Sequence, residues 1–300
     1  MDLISHVTIL GGACTRSVLV ARCGRAEVDR ALRAGVLVRV ARGRYALRTA
    51  GAAVTAAAAV GGVLSMRSAA QRHGWGQKLV PELPDVTFPR SHHLPRRARL
   101  LVVPHWSDIA PDDIVDGVTS VRRTLVDCMR NLPLDESVPI VNSALRAGDV
   151  TLPELRRIAT AMKGRGRARA MAVAAMATAR PVNPYESTLY AMASTIPGLR
   201  VQPQLPVSIS PTQVRHPDLA DRDLRIIIEA ESFEWHGETA ALTRDCARYN
   251  AFTLGGWLVI RFSWYQVMFA PAYVLRTLAD AVALVRRHAN VARGSPAAAA

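Results

Sequence analysis

Apolar and polar positions along the first fifty residues change period twice. TRSVLVARC, starting at Thr15, reads as a short helix capped by Thr15 and broken by Gly24. Beyond it Val28, Ala31, Leu32 and Gly35 recur at i, i+3, i+4 and i+7. That spacing predicts a second helix with one packed face and with Arg25, Asp29, Arg30 and Arg33 more exposed. The period then drops to two: VLVRV alternates as a strand, ARGR supplies a turn, and YAL begins the return strand. Arg42 and Arg44 flank the hairpin tip. Two helices joined by a tight turn and followed by a basic hairpin predict a winged helix-turn-helix, which sets one helix in the major groove and the wing on the backbone.

Residues 49–66 are uncharged, but they are mostly Ala, Gly and Thr rather than Leu, Ile or Phe, so a helix and turn is expected there and not a membrane span. The rest of the middle, 51–180, offers short mixed α/β elements without a catalytic constellation. His92 and His93 are adjacent, and His73 and His105 are isolated. None has a second histidine or a cysteine at i+3 or i+4, so loop histidines are expected. MKGRGRARA (162–170) is a basic, Gly-interrupted run, either a solvated linker or a segment that follows a phosphate backbone. Pro-Val-Asn-Pro at 181–184 stops the preceding helix and marks a boundary. The expected division is 1–50, 51–180, 181–290 and a disordered tail, 291–300.

The last part carries the densest chemistry. RIIIEAES reads as a buried strand in which Glu229 and Glu231, two apart, point to one face. The turn Asp221-Arg222-Asp223 puts Asp218 on the preceding strand, within reach of both. Three carboxylates on one patch repel one another unless a cation lies between them, and hard cations such as Mg2+ or Mn2+ take such oxygen ligands. WLVIRFSW is a further strand, with Arg244 and Arg248 one turn apart on the helix before it.

Charge sharpens this division. The 300 residues carry 38 Lys and Arg against 24 Asp and Glu, net +14, which calls for a polyanionic partner, nucleic acid first. Residues 1–50 contribute +6, 51–180 contribute +7 and 181–300 only +1. Eight acids, Asp218 to Asp245, fall within 28 residues. Cys14, Cys23, Cys128 and Cys246 form no C-x-x-C pair, so neither a zinc ribbon nor a disulfide framework is indicated. With no export signal at the start, a cytoplasmic location is expected. Neither a membrane nor a small-molecule cofactor is expected as a partner.

Two family resemblances rest on these residues. Gly12 to Leu47, ending in LVRVARGRYAL, resembles the N-terminal domain of AbiEi-type antitoxins of type IV toxin-antitoxin systems. The similarity continues through SMRSAAQRHGW (65–75) and TSVRRTLVDCMRNLP (119–133). It implies a DNA-binding, autoregulatory front end; a cognate toxin as protein partner belongs to the antitoxin alternative and is not implied by the resemblance alone. Pro217-Asp218 followed by Glu229-Ala230-Glu231 resembles the PD-(D/E)XK nuclease core, with Glu186 in NPYESTLYAM as the acid of its first helix. Glu231 stands where that pattern usually has Lys. Phe233-Glu234-Trp235-His236 is similar to the very short patch repair endonuclease branch, which also lacks the Lys and implies His236 as base. RDCARYNAFTLGGWLVIRFSWYQV is similar to a restriction-endonuclease-like domain of unknown function in that branch.

The fold expected is therefore α+β and multidomain: an N-terminal winged helix-turn-helix, a mixed α/β middle region and a C-terminal α/β/α restriction-endonuclease-like domain. The catalytic set implied is Asp218, Glu229, Glu231 and His236. Glu186, Asp218, Glu229 and Glu231 would hold Mg2+ or Mn2+. Double-stranded DNA would be met by Arg25, Arg30, Arg33, Arg42 and Arg44 in front and by Arg244 and Arg248 behind. The alternative is that the acids pair with Arg215, Arg222, Arg225, Arg244 and Arg248 on a fold that has lost activity, in an antitoxin or transcriptional regulator.

Overall fold

The computed structural model describes residues 3, 4, 7, 13–48, 51–210, 213–231 and 239–294. It is a mixed α/β chain that divides into two compact units. One comprises Met1–Leu132 and Ala147–Ala175, the other Pro133–Arg146 and Met176–Ala300. The segments 1–50 and 51–132 thus share one unit, while 133–146, expected with the middle, belongs to the unit that holds the chain's last third.

The first unit opens with β1 (Ala13–Thr15), α1 (Arg16–Cys23) and α2 (Arg25–Arg33), then β2 (Leu37–Ala41) and β3 (Arg44–Leu47). The strands form an antiparallel sheet in the order β1-β3-β2. The Thr15 side chain accepts a hydrogen bond from Val18 N at 3.4 Å and so satisfies one free N–H at the start of α1. Gly24, at φ 81°, both ends α1 and starts α2, a conformation that a side chain would disfavour. Leu19, Val28 and Ala31 from the helices close on Leu37, Tyr45 and Leu47 of the sheet.

The same unit continues with α3 (Ala52–Val60), β4 (Val63–Leu64), α4 (Met66–Arg72), β5 (Asp85–Phe88), β6 (Val103–Trp106), β7 (Ile114–Val115), β8 (Val118–Thr119) and α5 (Val121–Asn131). Its second sheet runs β6-β5-β4-β8-β7, with parallel and antiparallel pairs mixed. Val54, Ala57, Leu64, Val86, Phe88 and Val118 make its core. Asp85, fully buried, is held by Arg67 at 3.2 Å and His105 at 2.8 Å. His105 is therefore a strand residue with a carboxylate partner, a correction to its reading as a loop histidine. His73 is likewise engaged, its Nε2 2.9 Å from Thr119 O.

Helix α6 (Leu134–Ala147) packs in the second unit. Its Asn142, fully buried, accepts from Thr178 N at 2.9 Å and donates to Ser187 Oγ at 3.3 Å. α7 (Leu152–Ala161) and α8 (Arg167–Met176) follow; all of α7, and α8 up to Ala175, lie in the first unit. Thr151 and Glu154 form a reciprocal capping box that fixes the start of α7.

The second unit then runs α9 (Pro184–Ala193), β9 (Gln202–Pro203), β10 (Val207–Ser210), β11 (Gln213–Arg215), β12 (Leu219–Asp221), β13 (Ile226–Glu231), α10 (Thr239–Leu254), β14 (Leu258–Ser263), α11 (Trp264–Phe269) and α12 (Pro271–Gly294). Its main sheet has the order β14-β13-β12-β9, with β13 and β14 parallel. The run of three isoleucines on β13 is explained by cover on both faces. Ile226 and Ile228 pack with Leu189, Val267, Val274 and Leu278, while Ile227 packs with Tyr249, Phe252 and Trp257. Each such side chain contributes about 1.5–3 kcal/mol through burial. Helix α12 continues to Gly294, and the rest of the expected tail lies outside the described residues. Among the described residues no helix is long and apolar enough to cross a membrane.

Candidate active site

β13 delivers its two glutamates to the face covered by α10, because residues two apart on a strand share a face. Glu229 is 2% exposed and meets Arg248 Nη1 at 3.3 Å. Glu231 accepts hydrogen bonds from the Tyr249 hydroxyl and from Arg261 Nε, the latter at 3.0 Å. Arg248 also donates to Tyr249 Oη at 2.6 Å and lies 3.6 Å from Asp245. Both guanidinium groups stack on the Tyr249 ring, Arg261 at 3.9 Å and Arg248 at 4.7 Å from its centroid.

Asp218 immediately precedes β12. The register Leu219 to Ile228 sets it opposite Glu229. Asp218 Oδ2 accepts from Ala230 N at 2.8 Å, and its carboxyl is hydrogen-bonded to that of Glu229. Burial, then the charge of Asp218, pushes Glu229 up to about 8. Burial raises Asp218 as well. Both shifts favour the protonated form of the pair, because two carboxylates in contact repel one another. Glu231 differs: burial raises it, but the hydrogen bonds from Arg261 and Tyr249 outweigh that and hold it below the ordinary carboxylate value.

Glu186 stands on the first turn of α9. Asn183 caps that helix by accepting from Glu186 N at 2.9 Å, and the Glu186 carboxylate receives Asn183 Nδ2 and Val182 N, both at 2.8 Å. It is a capping carboxylate that burial and the nearby charge of Asp218 push upward. Tyr185 beside it donates to Phe262 O at 2.6 Å and fastens the helix start to the end of β14. The structure therefore brings Asp218 and Glu229 into contact, with Glu186 near Asp218 and Glu231 held apart by its own partners. Among the described residues no three His, Cys, Asp or Glu side chains are grouped to hold a metal ion. His236 lies outside the described residues, as do Trp235 and Glu234.

Of the acids read as one cluster, Asp221 is a turn former. Buried, it accepts from Arg200 N at 2.5 Å and from Asp223 N and Leu224 N, both at 2.9 Å. The Tyr249 clamp was missed by sequence reasoning; the adjacent Arg248-Tyr249 pair three residues after Asp245 was its only local signal. Arg261 on β14 pairs with Glu231. Arg244 is exposed on α10. In the first unit Arg25, Arg30, Arg33 and Arg42 are exposed and Arg44 is half-buried. Arg30 pairs with Glu27, and Arg33 donates to Asp29 O at 3.3 Å.

No family model matches the chain. No curated protein matches it. Among solved structures, the RV2827C protein from Mycobacterium tuberculosis aligns at 18% identity, covering 59% of this chain and 80% of its own, with a TM-score of 0.27. A likeness at that level carries no argument about fold or function.

Proposed function

We propose that this is a cytoplasmic DNA-binding protein with a nuclease-like site in its second unit. The observation that carries this reading is the pair of partly buried Asp218 and buried Glu229, two acids held face to face across β12 and β13. A hard divalent ion such as Mg2+ or Mn2+ suits two such oxygen donors. Glu186, near Asp218 but engaged in capping α9, would have to give up Asn183 or Val182 to join them as a third ligand. When bound there, the ion supplies Lewis acidity toward a phosphodiester.

The chain's own residues do the rest. Arg248, held against Glu229, and exposed Arg244 one turn before it steady the phosphate. Glu231 stays ionised because Arg261 and Tyr249 hold its charge, which keeps a fixed negative group beside the pair. His236 is assigned as base from the sequence resemblance. In front, α1, α2 and the β2–β3 hairpin act as a winged helix-turn-helix: Arg25, Arg30 and Arg33 face the groove, and Arg42 and Arg44 the backbone.

A specific observation favours a second reading. Glu229 and Glu231 each have an arginine of their own, Arg248 and Arg261, which cancels charge without any metal. On that reading the second unit is a silent scaffold, and the protein is a regulator or antitoxin with a toxin partner. Cleavage of plasmid and oligonucleotide DNA in Mg2+ or Mn2+ separates the two. Wild type and Asp218→Ala behaving alike across substrates and metals would end the nuclease reading.

A further inference from the structure

We propose that a cleft in the first unit binds a single nucleic-acid strand, separately from the duplex site assigned to residues 1–50. The cleft has a volume of about 980 Å³ and is walled by α5, the end of β6 and the loop after α7. That is at the upper end of the range for small-ligand pockets, about 300–1,000 Å³. It gives room for a short strand but not for a duplex, whose major groove alone is about 12 Å wide.

Its charge is uneven in a way that the sequence hides. The three acids on the wall are all committed: Asp108 to Arg90 at 3.2 Å, and Asp113 and Asp127 to Arg123 at 3.5 and 2.9 Å. Four further cations line the same cleft: Arg122, Arg130, Lys163 and Arg165. Among the described residues none of these four has a salt bridge or a side-chain hydrogen bond. Arg130 Nε is moreover buried without a partner, a donor that an incoming acceptor would satisfy.

Spacing decides what kind of anion suits these groups. Arg122 and Arg130 are eight residues apart on α5, about 12 Å along the helix axis, so one phosphate cannot meet both. A chain of phosphates can. At the same wall Trp106 is 39% exposed, with its indole N–H fixed by donation to His92 O at 3.2 Å. A held aromatic ring beside a line of uncommitted cations is the arrangement that stacks a base while the backbone is tracked. The basic loop at 163–165 closes the same line of charge.

The test is fluorescence anisotropy of the full chain with a short labelled oligothymidylate over a salt series. Arg122→Gln combined with Arg130→Gln is expected to weaken binding about tenfold or more and to flatten the salt slope by about 1.4, since each single-strand phosphate contact contributes about 0.7. Lys163→Gln with Arg165→Gln, on exposed positions that cannot disturb the core, gives the same direction. Trp106→Ala weakens binding with the slope unchanged, and Trp106→Phe restores it. The proposal is overturned if both charge variants bind as wild type, or if an acidic peptide binds the cleft and the oligonucleotide does not. Loss of oligothymidylate binding in Arg30→Ala with Arg44→Ala also overturns it, because the strand would then be held by the front of the chain. Cleavage assays on Asp218→Ala have no bearing on any of these outcomes, so the two readings fail independently.

Discussion

Glu229 and Arg248 meet at 3.3 Å with the carboxyl sealed from solvent, and the same carboxyl is shared with Asp218. Glu229, Asp218 and Glu186 are all pushed above their ordinary values, so the folded state keeps protons that the unfolded chain releases. Stability therefore falls as pH rises from the ordinary glutamate value of 4.5 to about 8. Thermal melting should show that decline, and Glu229→Gln should flatten it. Mg2+ or Mn2+ should raise Tm more at about pH 8 than at about pH 5, and should do so in wild type but not in Asp218→Asn. A metal effect equal at both pH values would count against the paired carboxyls as its site.

Tyr249 joins Arg248 to Glu231 through one hydroxyl. Tyr249→Phe removes hydrogen bonds to two charged groups and should cost about 1.5–3 kcal/mol in urea unfolding. The acid limb has the opposite sign from Glu229. Glu231 is held below its ordinary value, so its contribution is present above that value and lost as pH falls below it. Arg261→Ala should shrink that loss in acid melts and leave the neutral limb alone.

In the first unit Asp85 is fully buried between Arg67 and His105. Asp85→Ala removes a buried carboxylate that holds two partly exposed cationic side chains and should destabilise by about 1.5–3 kcal/mol in denaturant titration.

Duplex binding by the front of the chain should depend steeply on salt. Arg42→Ala with Arg44→Ala would remove the two backbone contacts proposed for the hairpin, so the slope of log K against log salt should fall by about 1.8. A slope that stays put would mean that neither side chain touches the backbone.

Short-range chemistry was the legible part. Thr15 and Gly24 announce the ends of α1, and the i, i+3, i+4 recurrence of Val28, Ala31 and Leu32 announces α2. The IIIEAE run announces a strand covered on both faces. The same-face spacing of Glu229 and Glu231 was also readable, because it follows from the pleat. What escaped was long-range. Nothing local says that Asn142 would pair with Ser187, so α6 was assigned to the middle. Nothing local tells a turn-forming Asp221 from a facing Asp218 three residues earlier, since the difference is which backbone N–H groups each one meets. The commitment of Asp108, Asp113 and Asp127 to Arg90 and Arg123, which leaves α5 with spare positive charge, is likewise visible only once the sheet is assembled.

The excursion of α6 into the second unit has a consequence for how the chain matures. Its path crosses between the units three times, at 132/133, 146/147 and 175/176. As the chain leaves the ribosome, the first unit becomes complete once residue 175 has emerged, while α6 must wait for its partners, beginning with Thr178 and Ser187. A fragment starting at residue 176 would lack Asn142 and the buried face of α6, so the second unit should fold poorly when cut at the proline boundary. Dissecting the two units will need a permuted chain that carries residues 133–146 along, rather than a simple truncation.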